Sequence, residues 1–449
     1  MTKHHHSLTS KSSEAGLKEQ QLTQGKYNLI LTNTAIWSHD GNWIYYDVRS
    51  DAAGTQFDGQ RIERVHAESG EVQVVYRSEK GACCGVVTAS SVEDKIVFIH
   101  GPENPTPDWT YSFWHRRGVT VQPGVGKPAF NLDARDLISP YTPGALRGGT
   151  HVHVFSGDGK WISFTYDDHV LANGNLAGAQ QNQRNVGVAA PYGPVSVPKT
   201  HPRNHNGSAF SVLVTKTWDT PIPGSDEINR AHSDAWVGTH GYVRTDGIRQ
   251  ARALAFIGDT VTLDGNTVSE LFVVDIPEDV RLAGNAPLCG TETTRPAPPS
   301  GVSQRRLTHT SMRKYPGLGP MRHWPRSNPD GSLIAFIMRD DVGIAQLWTI
   351  SPNGGEMHQL TEHESPIESA FTWRPDGRAI CCVAGGRVSE VDASSGEISH
   401  LTDLSAVKPR PEAVVYSTEK KKIAFVRSVT SAEGTFNQIF VVTSRLPHK

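Results

Sequence analysis

The chain has 449 residues, including 42 Gly and 28 Pro, and 37% of its residues are hydrophobic, which is typical of a loop-rich all-β protein. Its formal net charge of −2 gives no electrostatic basis for binding nucleic acid or an anionic membrane surface. No apolar run reaches the roughly 18 residues that a membrane-spanning helix needs. The five cysteines lack metal-type spacing, which favours buried thiols in a reducing compartment.

The N-terminal segment carries two different signals. Residues 1–18 are rich in Ser, Thr and Lys and contain no apolar stretch. We therefore expect a disordered tail without a signal peptide and a cytoplasmic protein, with the periplasm as the alternative if a leader is missing. Residues 19–23 include Gln20-Gln21-Leu22-Thr23, which matches Gln359-Leu360-Thr361 at the end of a later repeat. This match predicts that residues 19–23 supply the outer strand of the last repeat and leave no unpaired edge.

One turn motif recurs along the chain, each time followed by an apolar strand. Complete copies end at Asp40-Gly41, Asp158-Gly159, Asp330-Gly331 and Asp376-Gly377, and degenerate copies keep only the strands at 95–98 and 422–425. The last two complete copies are 46 residues apart (377 − 331). Each unit contains four short strands joined by tight turns. A period of about 40–50 residues with four strands per unit indicates a β-propeller, whereas a β-sandwich gives no reason for one turn to recur.

We therefore predict a single all-β propeller domain over residues 19–449, closed by its N-terminal strand, with seven blades favoured and eight as the alternative. Six blades are expected near residues 30–78, 80–125, 145–198, 318–361, 366–402 and 410–446. The remaining region, 200–308, is an elaborated blade or insertion. Within it, residues 208–214 form either a further strand pair or an insertion.

The Trp373-Arg374-Pro375-Asp376-Gly377 turn, the strand that follows it and the closing Gln-Leu-Thr sequence resemble the TolB-type propeller repeat. That repeat also builds oligogalacturonate lyase and several propeller-shaped peptidases. The whole chain is most similar to a bacterial branch of these propellers. The resemblance implies the fold directly and says less about function.

Function is expected at the mouth of the central channel, where the innermost strands converge. Polar residues recur seven positions before the turn acid, namely Asn33, His151, His323 and, if Glu419 is the equivalent acid, Glu412. Equivalent positions in a ring point at a common axis, so these side chains should approach one another. His153 lies two residues after His151 and is expected on the same strand face. Nearby segments add Arg147, Arg230, His232, Arg322 and Arg410, while His201 and His205 precede the region of extra strands.

Several histidines that meet at one axis indicate a divalent metal site, because neutral imidazoles on rigid strands are ordinary metal ligands. The predicted ligands are His151, His153, His232 and His323. Manganese is the first expectation, with zinc, iron or nickel as alternatives. The competing interpretation is a channel lined by polar, hydrated side chains, as in any propeller.

The resemblance to oligogalacturonate lyase implies how such a site would act. Propellers of that kind hold a metal by several His and a Gln, and use Arg for the uronate carboxylate. By that likeness, Arg147, Arg230 and Arg322 would grip a carboxylate of an anionic oligosaccharide in two-point fashion. The predicted reaction is β-elimination, with His205 as the base; His232 is a second choice, and Tyr141 and Tyr192 are further candidates.

Other functions are weighed against this one. A propeller-capped serine peptidase needs a second domain with a G-x-S-x-G turn, which this sequence lacks. A glycosidase needs two facing carboxylates; Glu412 and Glu368 could serve, but the expected site is richer in His and Arg than in acids. A non-catalytic TolB-like propeller that binds a protein or a small ligand remains the main alternative, so enzymatic activity stays open. No nucleic-acid or membrane partner is expected.

Overall fold

The computed structural model of the protein describes residues 19–124, 127–418 and 421–444. Seven four-stranded antiparallel sheets form the blades of one ring, which confirms the predicted seven-bladed, all-β propeller. The predicted tail at residues 1–18 and the acid Glu419 lie outside the described residues. The first strand of each blade lies nearest the central channel and the fourth lies outermost.

The strands are numbered in chain order, and β1 is Gln20–Gln21. Blade 1 contains β2 (Asn28–Ile30), β3 (Trp43–Arg49), β4 (Arg61–His66) and β5 (Val72–Arg77). Blade 2 contains β6 (Cys84–Ala89), β7 (Ile96–His100), β8 (Arg117–Val121) and β9 (Ala129–Asn131). A short parallel pair follows, β10 (Ala134–Arg135) and β11 (Ala145–Leu146). Blade 3 contains β12 (Gly148–Phe155), β13 (Ile162–Asp168), β14 (Asn185–Ala190) and β15 (Phe210–Leu213), with the helix α1 (His169–Asn173) after β13.

The remaining blades follow in order around the ring. Blade 4 contains β16 (Ile228–Trp236), β19 (Ala253–Val261), β20 (Thr267–Asp275) and β21 (Ser303–Arg306), with the hairpin β17 (Tyr242–Val243) and β18 (Arg249–Gln250) inserted. Blade 5 contains β22 (Arg326–Ser327), β23 (Ile334–Arg339), β24 (Ala345–Ile350) and β25 (His358–Gln359). Blade 6 contains β26 (Thr372–Trp373), β27 (Ala379–Ala384), β28 (Arg387–Asp392) and β29 (Ile398–His400). Blade 7 contains β30 (Val414–Tyr416), β31 (Lys422–Ser431), β32 (Gly434–Thr443) and β1.

Two boundaries differ from those expected from the sequence. Blade 2 continues to Asn131 rather than ending near residue 125. The stretch 208–214 is neither an extra strand pair nor an insertion, because its Phe210–Leu213 segment pairs with β14 as the outermost strand of blade 3. The elaborated region therefore begins after that strand, and seven blades account for the whole ring.

The recurring Asp-Gly turn has the same chemistry in each complete copy. The turn acid accepts a hydrogen bond from the backbone N–H two residues later, at 2.7–3.1 Å, in the pairs Asp40–Asn42, Asp158–Lys160, Asp330–Ser332 and Asp376–Arg378. The glycine between each pair has φ of 67–77°, which only glycine adopts without strain. The motif therefore marks the turn between the first and second strands of a blade.

Tryptophans at the end of the first strand join neighbouring blades. The indole N–H of Trp37 donates to the carbonyl of Val415 at 3.0 Å, and that of Trp236 donates to Val154 at 2.9 Å. The third such bond runs from Trp373 to the carbonyl of Arg326 at 2.7 Å. Each bond connects a blade to the inner strand of the preceding one, and Trp37 and Trp373 stand three residues before the acid of an Asp-Gly turn.

The hydrophobic core lies between blades rather than at the centre of the ring. Each of the seven blade interfaces contains a cluster of buried apolar side chains. At the interface of blades 7 and 1, for example, Ile44 and Trp37 pack in one cluster with Ala424 and Ile439. Burial of apolar surface between sheets therefore stabilises the ring in seven similar steps.

The N-terminal strand closes the ring as the sequence predicted. Gln20 pairs with Val441 and Gln21 with Phe440, so β1 is the fourth strand of blade 7. The Leu22 amide donates to the carbonyl of Ile439 at 2.8 Å, and the amide of Ile439 donates to Thr23 Oγ1 at 2.9 Å. Both ends of the described chain thus meet in one sheet, and β1 covers the edge of β32 at residues 439–441.

All five cysteines lie in the described part of the chain and are free thiols, and Cys84, Cys381 and Cys382 are buried. This agrees with the expected absence of disulfides. None of the described helices has the length and apolar character needed to cross a membrane.

Candidate functional site

Four arginines meet at one mouth of the central channel. In an antiparallel blade the first and third strands run in the same direction, so the residues that precede them lie at the same end. Arg116 and Arg184 directly precede the third strands β8 and β14, and Arg230 and Arg322 lie in or before the first strands of blades 4 and 5. We refer to Arg116, Arg184, Arg230 and Arg322 as the arginine cluster.

Asp167 and Phe113 connect two members of this cluster. Asp167 Oδ2 lies 2.9 Å from Arg184 Nη2 and 3.8 Å from Arg116 Nη2. Both guanidinium groups lie near the ring of Phe113, with centroid distances of 5.1 Å for Arg116 and 5.2 Å for Arg184. One carboxylate thus faces two guanidinium groups, and an exposed aromatic ring borders them.

Asp259 has the same role on blade 4. Its Oδ2 lies 4.0 Å from Arg230 Nη1, and its Oδ1 lies 3.7 Å from His232 Nε2. The carboxylate also accepts a 2.6 Å hydrogen bond from Ser269. Burial raises its pKa, but the hydrogen bonds from His232 and Ser269 and the charges of His232 and Arg230 together lower it below the usual value. Asp259 is therefore ionised at neutral pH and partly compensates Arg230.

Arg322 lies close to the other three arginines without a compensating carboxylate. Burial and the charges of Arg184, Arg230 and Arg116 lower the pKa of its guanidinium group. In the described ranges no carboxylate lies within 4.0 Å of it, and its own contact is with the ring of Trp324 at 4.7 Å. The cluster contains four guanidinium groups but only two carboxylates, so it carries an excess of two positive charges.

His151 belongs to the same site. Burial, and then Arg116, Arg184 and Arg322, lower the pKa of its imidazole well below the usual value. Its Nδ1 lies 3.3 Å from Thr165 Oγ1. His151 is therefore a neutral side chain at physiological pH, held among cations.

Arg116 is a buried side chain with hydrogen-bond donors that could bind an anion. It is 2% exposed, and its Nε and Nη2 atoms lack a hydrogen-bond partner among the described residues. Arg135 fixes the backbone beside it, because its Nη2 donates to the carbonyls of Arg116 at 2.6 Å and His115 at 3.0 Å. A buried donor without an acceptor costs free energy, so an anionic acceptor that reaches this side chain would gain affinity.

The structure does not bring the four predicted metal ligands together. A β-bulge interrupts β12 after His151, where Val152 has φ of 52° and the register shifts. The strand alternation expected between His151 and His153 is therefore lost. The ring of His153 is buried against Gly118, and its Nε2 lies 2.9 Å from Thr150 Oγ1.

Both ring nitrogens of His323 are hydrogen-bonded to the protein backbone. Its Nδ1 donates to the carbonyl of Met321 at 3.0 Å, and its Nε2 accepts from the amide of Ile337 at 3.1 Å. His232 is engaged with Asp259 and with Ser233 Oγ, 3.0 Å from its Nδ1. Across the described ranges, no three His, Cys, Asp or Glu side chains lie close enough to hold a metal ion. The predicted ligand set therefore does not fit a metal at the channel mouth.

Arg147 lies outside the arginine cluster, contrary to expectation. It is 1% exposed, and its Nε lies 2.7 Å from Asp168 Oδ2. Its two terminal nitrogens donate to the carbonyls of Thr291 and Thr294. Each of its three nitrogens thus has a partner within the protein, and the buried guanidinium group is not available to a ligand carboxylate.

His205 also differs from the expected catalytic base. Its backbone pairs with that of Arg135, and burial together with Arg135 and Arg117 lowers its pKa well below the usual value. Its Nε2 is buried without a hydrogen-bond partner within the described chain. The side chain is thus neutral and enclosed rather than presented at the mouth.

The other candidates occupy separate positions. Arg410 and Glu412 form an ion pair of 2.5 Å with each other. Tyr141 lies against Arg147, Tyr192 donates to the carbonyl of Glu278, and His201 lies 6.1 Å from the ring of Trp109. Asn33 does reach the channel interior, where it accepts a hydrogen bond from Arg326. Because blades 1 and 5 are not neighbours, that bond crosses the channel.

The sequence indicated Arg230, Arg322 and His151 but missed Arg116, Arg184, Asp167, Asp259 and Phe113. The missed signal was available, since Arg116 and Arg184 both stand one residue before a third strand. The prediction included only residues near first strands, so it did not contain Arg116 and Arg184. Phe113 could not be found this way, because its position depends on the fold of the loop before β8.

Together the fold and the site define a seven-bladed β-propeller with a cationic channel mouth. The chain belongs to the same family as "Uncharacterized protein YidR" of Escherichia coli (strain K12), to which it is 52% identical over 411 residues, 91% of this chain and 94% of that protein. The model of the family described as "Protein of unknown function (DUF3748)" matches residues 83–205. This range contains Phe113, Arg116, His151 and Arg184.

Two solved structures share the fold at low sequence identity. An oligogalacturonate lyase in complex with manganese is 9% identical, with a TM-score of 0.55, and the alignment covers 97% of this chain and 99% of that one. A Mycobacterium tuberculosis puromycin-hydrolyzing peptidase is 11% identical, with a TM-score of 0.54, over 93% of this chain. The chain spans about half of that peptidase's length, 52%. These likenesses confirm the expected resemblance at the level of fold.

Proposed function

We propose that the protein binds a small anionic ligand, of the class that includes uronate-containing oligosaccharides, at the arginine cluster. The observation that carries the proposal is the excess of guanidinium groups over carboxylates at the mouth, together with the unpartnered donors of buried Arg116. Guanidinium groups match the planar, two-oxygen geometry of a carboxylate. Within a narrow channel such charges act through less water than on an open surface, so they attract an anion more strongly.

β-Elimination from a uronate is a second candidate function, and neutral His151 among the arginines favours it. In this reaction an imidazole takes the proton from the carbon next to the carboxylate, while arginines stabilise the negative charge that develops on that carboxylate. The electron pair forms a carbon–carbon double bond, and the glycosidic oxygen leaves with a proton from solvent. No metal enters this scheme, because the predicted histidine ligands are otherwise engaged.

The test is isothermal titration of the full-length protein with oligogalacturonides, at low and at physiological salt. We expect binding that weakens with salt and that falls about tenfold or more in Arg322→Gln and in Arg230→Gln. Arg281→Gln is the matched control, because Arg281 is exposed and paired with Asp279 at 2.8 Å. Unchanged affinity in both cluster variants, or no binding of any anion, would contradict the proposal.

The same mixtures report on elimination through the ultraviolet absorbance of the conjugated product. A rise in absorbance that is lost in His151→Ala but retained in His240→Ala, a variant of an exposed histidine, would support a lyase. Binding without any such rise would leave a ligand-binding propeller and remove the second candidate.

A further inference from the structure

The charges of the mouth and an exposed ring beside it narrow the class of ligand. We infer that the channel mouth binds a cyclic dianion, whose two negative charges meet the arginine cluster while one face of its ring packs on Phe113. This inference rests on the proposed anion binding and deepens it.

The charge of the ligand follows from the ion pairs. Asp167 faces Arg116 and Arg184, and Asp259 faces Arg230, at 2.9–4.0 Å. Each carboxylate cancels one positive charge. Arg322 and one guanidinium group of the Asp167 set therefore remain uncompensated in the described chain. A ligand with two negative charges neutralises the site, whereas a single carboxylate leaves one guanidinium group without a counter-charge and so gains less Coulomb attraction.

The ring contact follows from the position of Phe113. This side chain is 55% exposed although it lies beside two members of the cluster. Large aromatic side chains that remain exposed at the mouth of a pocket are common sites for packing against flat ligands. An anion held by Arg116 and Arg184 would bring the rest of its molecule over this ring.

The backbone around Phe113 packs against blade 3, which fixes the position from which the ring projects. A Cβ atom added to Gly149 would lie 2.4 Å from the Phe113 carbonyl oxygen and 2.9 Å from the Trp114 backbone. The loop therefore packs directly on the first strand of blade 3, which also carries His151. Tyr111, in the same loop, accepts a 3.4 Å hydrogen bond from Arg116 Nη1.

Two sources of a cyclic dianion share this chemistry, namely a disaccharide of two uronates and a phosphorylated sugar. Titration of the full-length protein at fixed ionic strength separates the contribution of ligand charge from that of the sugar ring. The probes are a hexose, a hexuronate, a diuronate, a hexose 6-phosphate and inorganic phosphate. We expect at least one dianionic sugar to bind about tenfold or more tightly than the hexuronate, and the hexose not to bind. The tighter of the two dianionic sugars identifies the source.

Two variants separate the contribution of the arginine charges to binding from that of the Phe113 ring. Arg322→Gln removes one of the two excess charges, so the preference for the dianion over the hexuronate is expected to fall to about threefold or less. Phe113→Ala should weaken the sugar dianion roughly fivefold and leave inorganic phosphate unchanged. Phe130→Ala is the matched control, since Phe130 is 56% exposed but lies on the outer strand of blade 2.

The outcomes are distinct from those of the broader proposal. Equal affinity for hexuronate and dianions would overturn the dianion inference and still leave anion binding intact. Unchanged binding of the sugar dianion in Phe113→Ala would overturn the ring contact. If no anionic probe binds at all, the proposed function itself fails.

Discussion

Single arginines in this protein have opposite roles although their sequence contexts look alike. Arg147 and Arg322 both lie near the start of a first strand. Arg147 is enclosed, and each of its nitrogens has a partner in Asp168 or one of two carbonyls, whereas Arg322 lies near three other guanidinium groups. Removal of the two side chains should therefore affect different properties.

Arg147→Met should reduce the free energy of unfolding by about 3–5 kcal/mol, because it leaves Asp168 as a buried charge without its partner. Arg322→Met should change it by less than about 1 kcal/mol, since loss of the side chain also removes repulsion within the cluster. Urea unfolding measures both effects, and ligand titration should show the reverse order. Equal loss of stability in the two variants would mean that Arg322 is structural.

For single residues, the sequence indicated the type of site but only some of the residues that form it. Arg230 and Arg322 could be predicted because a repeat places equivalent positions around one axis. His153 could not be excluded, because the bulge at Val152 is a left-handed conformation that a β-branched residue rarely adopts. His323 could not be excluded either, because its partners are backbone groups of Met321 and Ile337.

The two-residue strand β1 joins the N-terminal end of the described chain to the last blade. It covers one edge of β32 and brings Leu22, 6% exposed, into the cluster between blades 7 and 1. Glu19 adds a 2.9 Å ion pair with Arg427. A strand of two residues thus connects the ends of the chain through backbone bonds, apolar burial and charge.

Deletion of residues 1–24 should lower the free energy of unfolding by about 3 kcal/mol or more, from the lost burial of Leu22 and the lost backbone bonds. A variant that lacks only residues 1–18 keeps Glu19–Thr23 and provides the comparison. Urea unfolding of both variants isolates the contribution of the strand. If both deletions have the same effect, β1 does not close the ring energetically.

The blades themselves were predictable where the turn chemistry was complete. Asp-Gly turns fixed the first and second strands of blades 1, 3, 5 and 6. The fourth strand of blade 3 was less clear, because residues 191–209 separate it from β14 without a regular turn. Its pairing depends on contacts with β14 over a long connection, which local sequence cannot specify.

The ring as a whole contains several histidines that are neutral because they are buried. Burial lowers the pKa of His100, His115 and His323 to about 4 and that of His153 to about 3. They lie in blades 2, 3 and 5 or in the loops that lead into them, and each is at most 5% exposed. The effect of these lowered pKa values on stability therefore belongs to the whole ring rather than to one site.

Acidification should destabilise the protein well above the pH at which carboxylates titrate. Unfolded histidines take up protons near pH 6.5, whereas these four remain neutral in the folded state until about pH 4 or below. Their contribution is thus complete above pH 6.5 and is lost as the pH falls from 6.5 toward 4, because the unfolded state then binds more protons.

Between pH 7.5 and 5.5 we expect a loss of roughly 1 kcal/mol for each histidine, about 4 kcal/mol from these four, measured as the free energy of urea unfolding. His323→Gln should be less stable at every pH but should lose about 1 kcal/mol less between pH 7.5 and 5.5, since one titrating group is gone. His240→Gln, which replaces an exposed histidine, should keep the full dependence. Stability that stays constant between pH 7.5 and 5.5 would show that these imidazoles are accessible to protons in the folded ring.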